Sequence, residues 1–136
     1  MANTKSIGVA FSDQDIQGAQ YLMSSEQLGY TADAQGTVTQ ATDKSTAVTL
    51  NKSAGRITMN NAALAANTAV SFTFNNSFFS SNDILILNVA AGATAGAYLA
   101  YVTAETAGSC TITVVNRTAG SLSEAVVLNF ALIHCQ

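Results

Sequence analysis

From residue 36 onward, apolar and polar positions alternate in short runs separated by turn-forming residues. The clearest run is AVSFTFN at 69–75. Val70, Phe72 and Phe74 fall on one side of it and Ser71, Thr73 and Asn75 on the other, because side chains alternate across a strand. It closes the stretch GRITMNNAALAANTAVSFTFN at 55–75, around which similar runs are arranged. Those at 37–41, 47–50, 56–59, 98–104, 109–116 and 125–134 follow the same pattern. In 98–104, Leu99 and Tyr101 oppose Tyr98, Ala100 and Val102. In 109–116, Cys110, Ile112 and Val114 oppose Thr111 and Thr113. In 125–134, Val126, Leu128, Phe130 and Leu132 are expected to point inward.

The run DILILNV at 83–89 is different, being apolar on both sides. Ile84 and Ile86 share one face; Leu85, Leu87 and Val89 share the other. Such a strand is either covered on both faces or closes a subunit interface. Leu85, Leu87 and Val89 are taken as the expected interface residues. The segment AALAA at 62–66 has helix propensity but is too short to hold a helix alone, so a loop with at most one helical turn is expected there.

Eight short strands with turns roughly every 8–12 residues predict an all-β chain: one β-sandwich or jelly-roll-like domain of short antiparallel strands. No helical segment of crossover length separates the runs, which argues against a parallel α/β sheet. The chain has no Trp for an immunoglobulin-type core.

Residues 1–36 read differently. They show no sustained period and carry two apolar islands, Ile7–Phe11 and Tyr21–Met23, with Ser12-Asp13-Gln14-Asp15 between them. The alternatives are a frayed terminus or an arm that orders on a neighbouring subunit. A tail without a partner would carry fewer large apolar residues. The division expected is an extended N-terminal arm at 1–36 and a β-sandwich domain at 37–136. Ile7, Val9, Phe11, Tyr21 and Leu22 are the expected contacts to a neighbouring subunit or other partner.

Composition sharpens this picture. Of the 136 residues, 49% are hydrophobic and only 10% charged, so polarity comes mainly from Thr, Ser and Asn. A surface so poor in charge favours cover by a partner. The net charge is −3, and Lys5, Lys44, Lys52, Arg56 and Arg117 are scattered, so nucleic acid and anionic membranes are unpromising partners. No apolar run approaches the roughly 20 residues of a membrane span. The opening residues lack the apolar core of a secretory signal. Folding in a cytoplasm is therefore expected, with Cys110 and Cys135 as reduced thiols.

Catalytic chemistry is thin. The single histidine, His134, sits at a strand end, with no nucleophile-elbow pattern elsewhere to complete a triad. A metal site built from His134, Cys135 and Cys110 would lack the local Cys-x-x-Cys spacing of zinc sites. Asp13-Gln14-Asp15 matches only a fragment of a calcium loop. Asn51-Lys52-Ser53, Asn75-Asn76-Ser77 and Asn116-Arg117-Thr118 fit the glycosylation pattern and are read as polar turns. No catalytic residue, metal or cofactor is expected.

Three longer segments carry a resemblance. They are GTVTQATDKSTAVTLNKSAGRITMNNAALAANTAVSFTFNN from Gly36, AGAYLAYVTAETAGSCTITVVNRTAGSLSEAVVLNFALI at 95–133, and the opening KSIGVAFSDQDIQGA. Together they resemble a β-rich domain that recurs in structural proteins of tailed bacteriophages, among them short capsid decoration (cement) proteins and parts of tail or fibre proteins. The resemblance covers 36–133 and extends into the arm. It implies a structural, non-enzymatic virion protein, made in the bacterial cytoplasm and bound to the capsid surface as a homotrimer that bridges the major capsid protein. A single domain plus a short arm suits decoration better than a fibre, which would add a shaft. The alternative is a tail or fibre module that binds host-surface carbohydrate, with Phe78, Phe79 and Tyr98 as an aromatic platform.

Overall fold

The computed structural model describes residues 20, 21 and 23–135. A single 3-10 turn at Ala32–Ala34 leads into eight strands: β1 (Gln35–Thr39), β2 (Val48–Thr49), β3 (Ala54–Thr58), β4 (Ala69–Asn75), β5 (Ile84–Ala91), β6 (Tyr98–Thr106), β7 (Ser109–Asn116) and β8 (Val127–Ile133). Each matches an expected run, with ends shifted by a few residues. The all-β, sandwich-like architecture follows from the alternation. Residues 60–68 form the expected loop, without a helical turn, and within it Leu64 makes an isolated antiparallel bridge to Leu122.

The strands form two four-stranded sheets. Sheet A has the order β1-β3-β8-β5 and sheet B the order β2-β4-β7-β6. The chain changes sheet at every step except β6 to β7. This crossing makes two pairings parallel, β1 with β3 and β2 with β4, where antiparallel strands were expected throughout. Parallel neighbours need a crossover, and here β2 in the opposite sheet supplies it between β1 and β3. The other four pairings are antiparallel.

The inner faces meet in one core that includes Ile57, Phe72, Phe74, Ile112, Val114, Leu128, Phe130 and Leu132. Phe74 of sheet B meets Phe130 of sheet A edge-on, with ring centroids 4.8 Å apart. Each such side chain contributes roughly 1.5–3 kcal/mol by leaving water. Gly55 makes the β1–β3 contact possible, because a Cβ there would lie 2.3 Å from the Gly36 carbonyl oxygen.

Buried polar groups pin the loops. The Asn116 amide donates to the carbonyls of Leu64, Ala65 and Gly120, and its Oδ1 accepts from Thr118. Asn76 Nδ2 donates to the Lys52 carbonyl at 2.7 Å. Both asparagines are fully buried, so the sequons at 75–77 and 116–118 mark loop anchors as much as polar turns.

The domain reaches back into the expected arm. Gln35 and Gly36 belong to β1. Tyr30 donates its phenol hydroxyl to the Leu132 carbonyl, and Lys52 Nζ donates to the Asp33 carbonyl at 2.7 Å. Among the described residues, no helix is long and apolar enough to cross a membrane.

Candidate functional site

The outer face of sheet A is organised in rows across its strands. One row places Ile133 of β8 beside Ile84 of β5. The next runs Gln35, Ala54, Ala131, Ile86, and the one after it Thr37, Arg56, Asn129, Asn88. Ile84, Ile86 and Ile133 are 53%, 51% and 46% exposed, so this end of the face shows three large apolar side chains to solvent. Arg56 Nε donates to Asn129 Oδ1 at 3.0 Å. Beside that pair lies a shallow groove of about 380 Å³, walled by Gln35, Thr37, Arg56 and Asn129 and floored by the backbone of Gly36 and Gly55.

Strand β5 is therefore exposed on the face opposite to the one expected. Leu85 is a core residue, and Leu87 and Val89 pack against the core. Leu87 and Val89 are only partly buried, and Ile84 and Ile86 hold the more exposed face of the strand. Apolar periodicity alone left the phase of this strand open. Asn88 was the usable signal, since it shares a face with Ile84 and Ile86 and a polar residue marks the solvent side.

Strands β5 and β6 are edge strands of their sheets. They are eight and nine residues long, and each carries a bulge, at Val89/Ala91 and at Val102/Ala104. Bulges are one device that discourages edge pairing, and charge is another. Charge is scarce here: β5 has none and β6 has only Glu105. On the outer face of β6, Leu99 and Tyr101 are also exposed.

The expected arm contacts fall mostly outside this description. Ile7, Val9, Phe11 and Leu22 lie outside the described residues; Tyr21 is 77% exposed. Met23 and Leu28 are likewise exposed. The aromatic platform for carbohydrate does not assemble. Phe79 is buried edge-on against Phe74, Tyr98 turns toward the core, and only Phe78 is exposed.

Titratable groups collect in two places, and both tie loops together. Asp83 is buried and accepts hydrogen bonds from Ser80 N and Oγ, Cys135 N and His134 Nδ1, the last at 2.9 Å. Burial works against ionisation of Asp83, but these four donors outweigh it and hold the carboxyl well below the usual range. His134 thus has an orienting carboxylate, as in a triad. The only described side-chain hydrogen bond of the neighbouring Cys135 thiol goes to the Ile133 carbonyl, so it does not complete one.

The second cluster surrounds Lys44. Its ammonium is buried and donates to the carbonyls of Asn60 and Glu124. Burial lowers its pKa, and the nearby Glu124 charge partly offsets that. The Glu124 carboxylate accepts from Thr94 N and Oγ1. Burial first, then the adjacent Glu124, pushes the Tyr98 phenol up to about 12. Cys110 and Cys135 are unpaired; burial, assisted by the Glu105 charge, pushes the Cys110 thiol up to about 12. Such a thiol is a poor nucleophile at neutral pH. Among the described residues, no three His, Cys, Asp or Glu side chains group to hold a metal.

No family model, curated protein or solved structure matches this chain. Its surface chemistry therefore carries the functional reading. Both titratable clusters are consumed by internal hydrogen bonds. Among the described residues, the outer face of sheet A, the edge strands β5 and β6 and the exposed Leu99 and Tyr101 of β6 are the surfaces that offer apolar contact to a partner.

Proposed function

We propose that this chain is a structural virion protein: a decoration (cement) protein that binds the outside of a phage capsid, bridges major capsid subunits and associates as a homotrimer. The observation that supports it best is the exposed apolar side of the sandwich, where Ile84, Ile86 and Ile133 accompany a long uncharged edge strand. Monomeric proteins seldom leave such a surface uncovered, because it costs solubility and invites pairing. A symmetric assembly covers it with copies of itself or with a lattice of repeated subunits. The sequence resemblance at 36–133 supplies the phage context.

The role is structural, with no reaction, metal or cofactor. The carbohydrate-binding alternative is weaker, because Phe78, Phe79 and Tyr98 present no common exposed surface.

The test is co-sedimentation with undecorated capsids, followed by counting copies per particle. Decoration predicts hundreds of copies and a capsid that resists heat or chelation better than the bare shell. A few tens of copies confined to one vertex or tail would point to the alternative. No binding to any part of the particle would sink the virion reading.

A further inference from the structure

The outer face of sheet A has a specific chemical layout. Apolar bulk lies at the Ile84/Ile133 end, and a single cation, Arg56, lies two rows further along. Arg56 spends Nε on Asn129, and no carboxylate of the described residues lies within ion-pair distance of it. A guanidinium carries further donors that suit a carboxylate. The matching occupant is therefore a segment with large apolar residues followed closely by acid.

This chain contains such a segment. Ile7-Gly8-Val9-Ala10-Phe11 is followed at once by Ser12-Asp13-Gln14-Asp15. The spacing fits as well. Two rows along a sheet span about 13 Å, and the four residues from Phe11 to Asp15 reach at most about 13–14 Å. An apolar residue at the isoleucine end and a carboxylate at Arg56 can thus be met together.

The way the chain leaves the domain indicates whose segment it is. Tyr30 is held at the Leu132 carbonyl, at the same end of β8 as Ile133. From there toward the N-terminus, residues 23–29 are all exposed, with Met23 and Leu28 burying little on their own domain. This stretch packs little against its own domain.

We propose that residues 7–15 of one copy dock on the outer face of sheet A of a neighbouring copy. Ile7, Val9 and Phe11 cover Ile84, Ile86 and Ile133, and Asp13 or Asp15 pairs with Arg56. This contact is between copies and stands apart from the capsid reading, so association measured with no capsid present tests it alone.

The experiment uses the full chain with charge reversals at exposed positions, Arg56→Glu and the pair Asp13→Lys/Asp15→Lys. Sedimentation reads association, hydrogen exchange reads protection of residues 7–15, and thermal melting checks that each variant is folded. Each variant alone should weaken association at least tenfold and remove the protection. The two variants mixed should recover much of both, because in two of the three contacts of a mixed trimer the introduced lysines face the introduced carboxylate or the original Asp–Arg pair is restored. Recovery only when all three changes share one chain, with none on mixing, would place the segment on its own domain and overturn the proposal. Wild-type association by both variants would overturn it too. Ile86→Ser supplies a charge-independent check: it should cut association comparably, and wild-type behaviour would count against the docking face.

Discussion

The two outer faces of this sandwich rest on the same core yet are finished differently. The middle strands of sheet B carry an outer surface of hydroxyls, and its exposed apolar side chains, Leu99 and Tyr101, lie on the edge strand β6. Ser71 and Thr113 share a hydrogen bond at 2.8 Å, and Thr103 reaches Thr113 at 3.2 Å. These side chains satisfy one another or water, so the middle of that face needs no partner. Sheet A instead presents isoleucines beside an Arg–Asn pair. The strand alternation is equally regular in both sheets. What separates the faces is whether the outward positions can be satisfied in water.

The largest expected effect is on what the two faces share. Phe74→Ala removes a fully buried ring that contacts both Phe79 and Phe130. It should cost about 3–5 kcal/mol in a chemical denaturation experiment, by lost transfer energy plus a cavity. A cost below about 1 kcal/mol would mean that the sheets do not share this core.

Next comes the contrast itself. Ile84→Ser with Ile86→Ser should leave stability within about 1 kcal/mol, since both side chains already face solvent. Self-association in sedimentation should nevertheless fall by at least tenfold. The matched change on sheet B, Thr73→Val with Thr111→Val, should leave association unchanged. Equal effects from the two pairs would erase the distinction between the faces.

Acid should weaken the isoleucine end through Asp83. The folded carboxyl ionises more readily than the unfolded one, whose ordinary pKa is 3.8, so the pair to His134 and the Ser80 bonds stabilise the fold at neutral pH. That contribution is complete above the unfolded value and is lost as pH falls below it toward the folded one. Melting temperature followed from about pH 6 to about pH 2 should drop, and Asp83→Asn should start lower and flatten that drop. An unchanged acid limb in Asp83→Asn would assign the drop to other groups.

The smallest effect tests the hydroxyl surface. Thr113→Val removes one nearly buried hydroxyl shared with Ser71 and Thr103. A loss of about 1 kcal/mol is expected, as for one net hydrogen bond. A neutral outcome would show that water serves those partners equally well.

Period-2 alternation determined most of the fold. Each strand was legible because burying one face of a strand forces apolar residues onto every second position. The inward set of β8 and the face of Val70, Phe72 and Phe74 followed directly from that rule. The scarcity of charge pointed to a covered surface without locating it. Three things were left to the tertiary structure. The phase of β5 was one, since isoleucine and leucine satisfy the same periodicity and only the packing of Leu85 against the core separates them. The parallel pairings were another, because sheet order arises from contacts between residues far apart in sequence. The last was the assembly of surfaces and ties: Arg56 beside Asn129, Asp83 on His134, Tyr30 on Leu132. Each joins residues from distant parts of the chain that carry no local signal, so only the folded sheets bring them together.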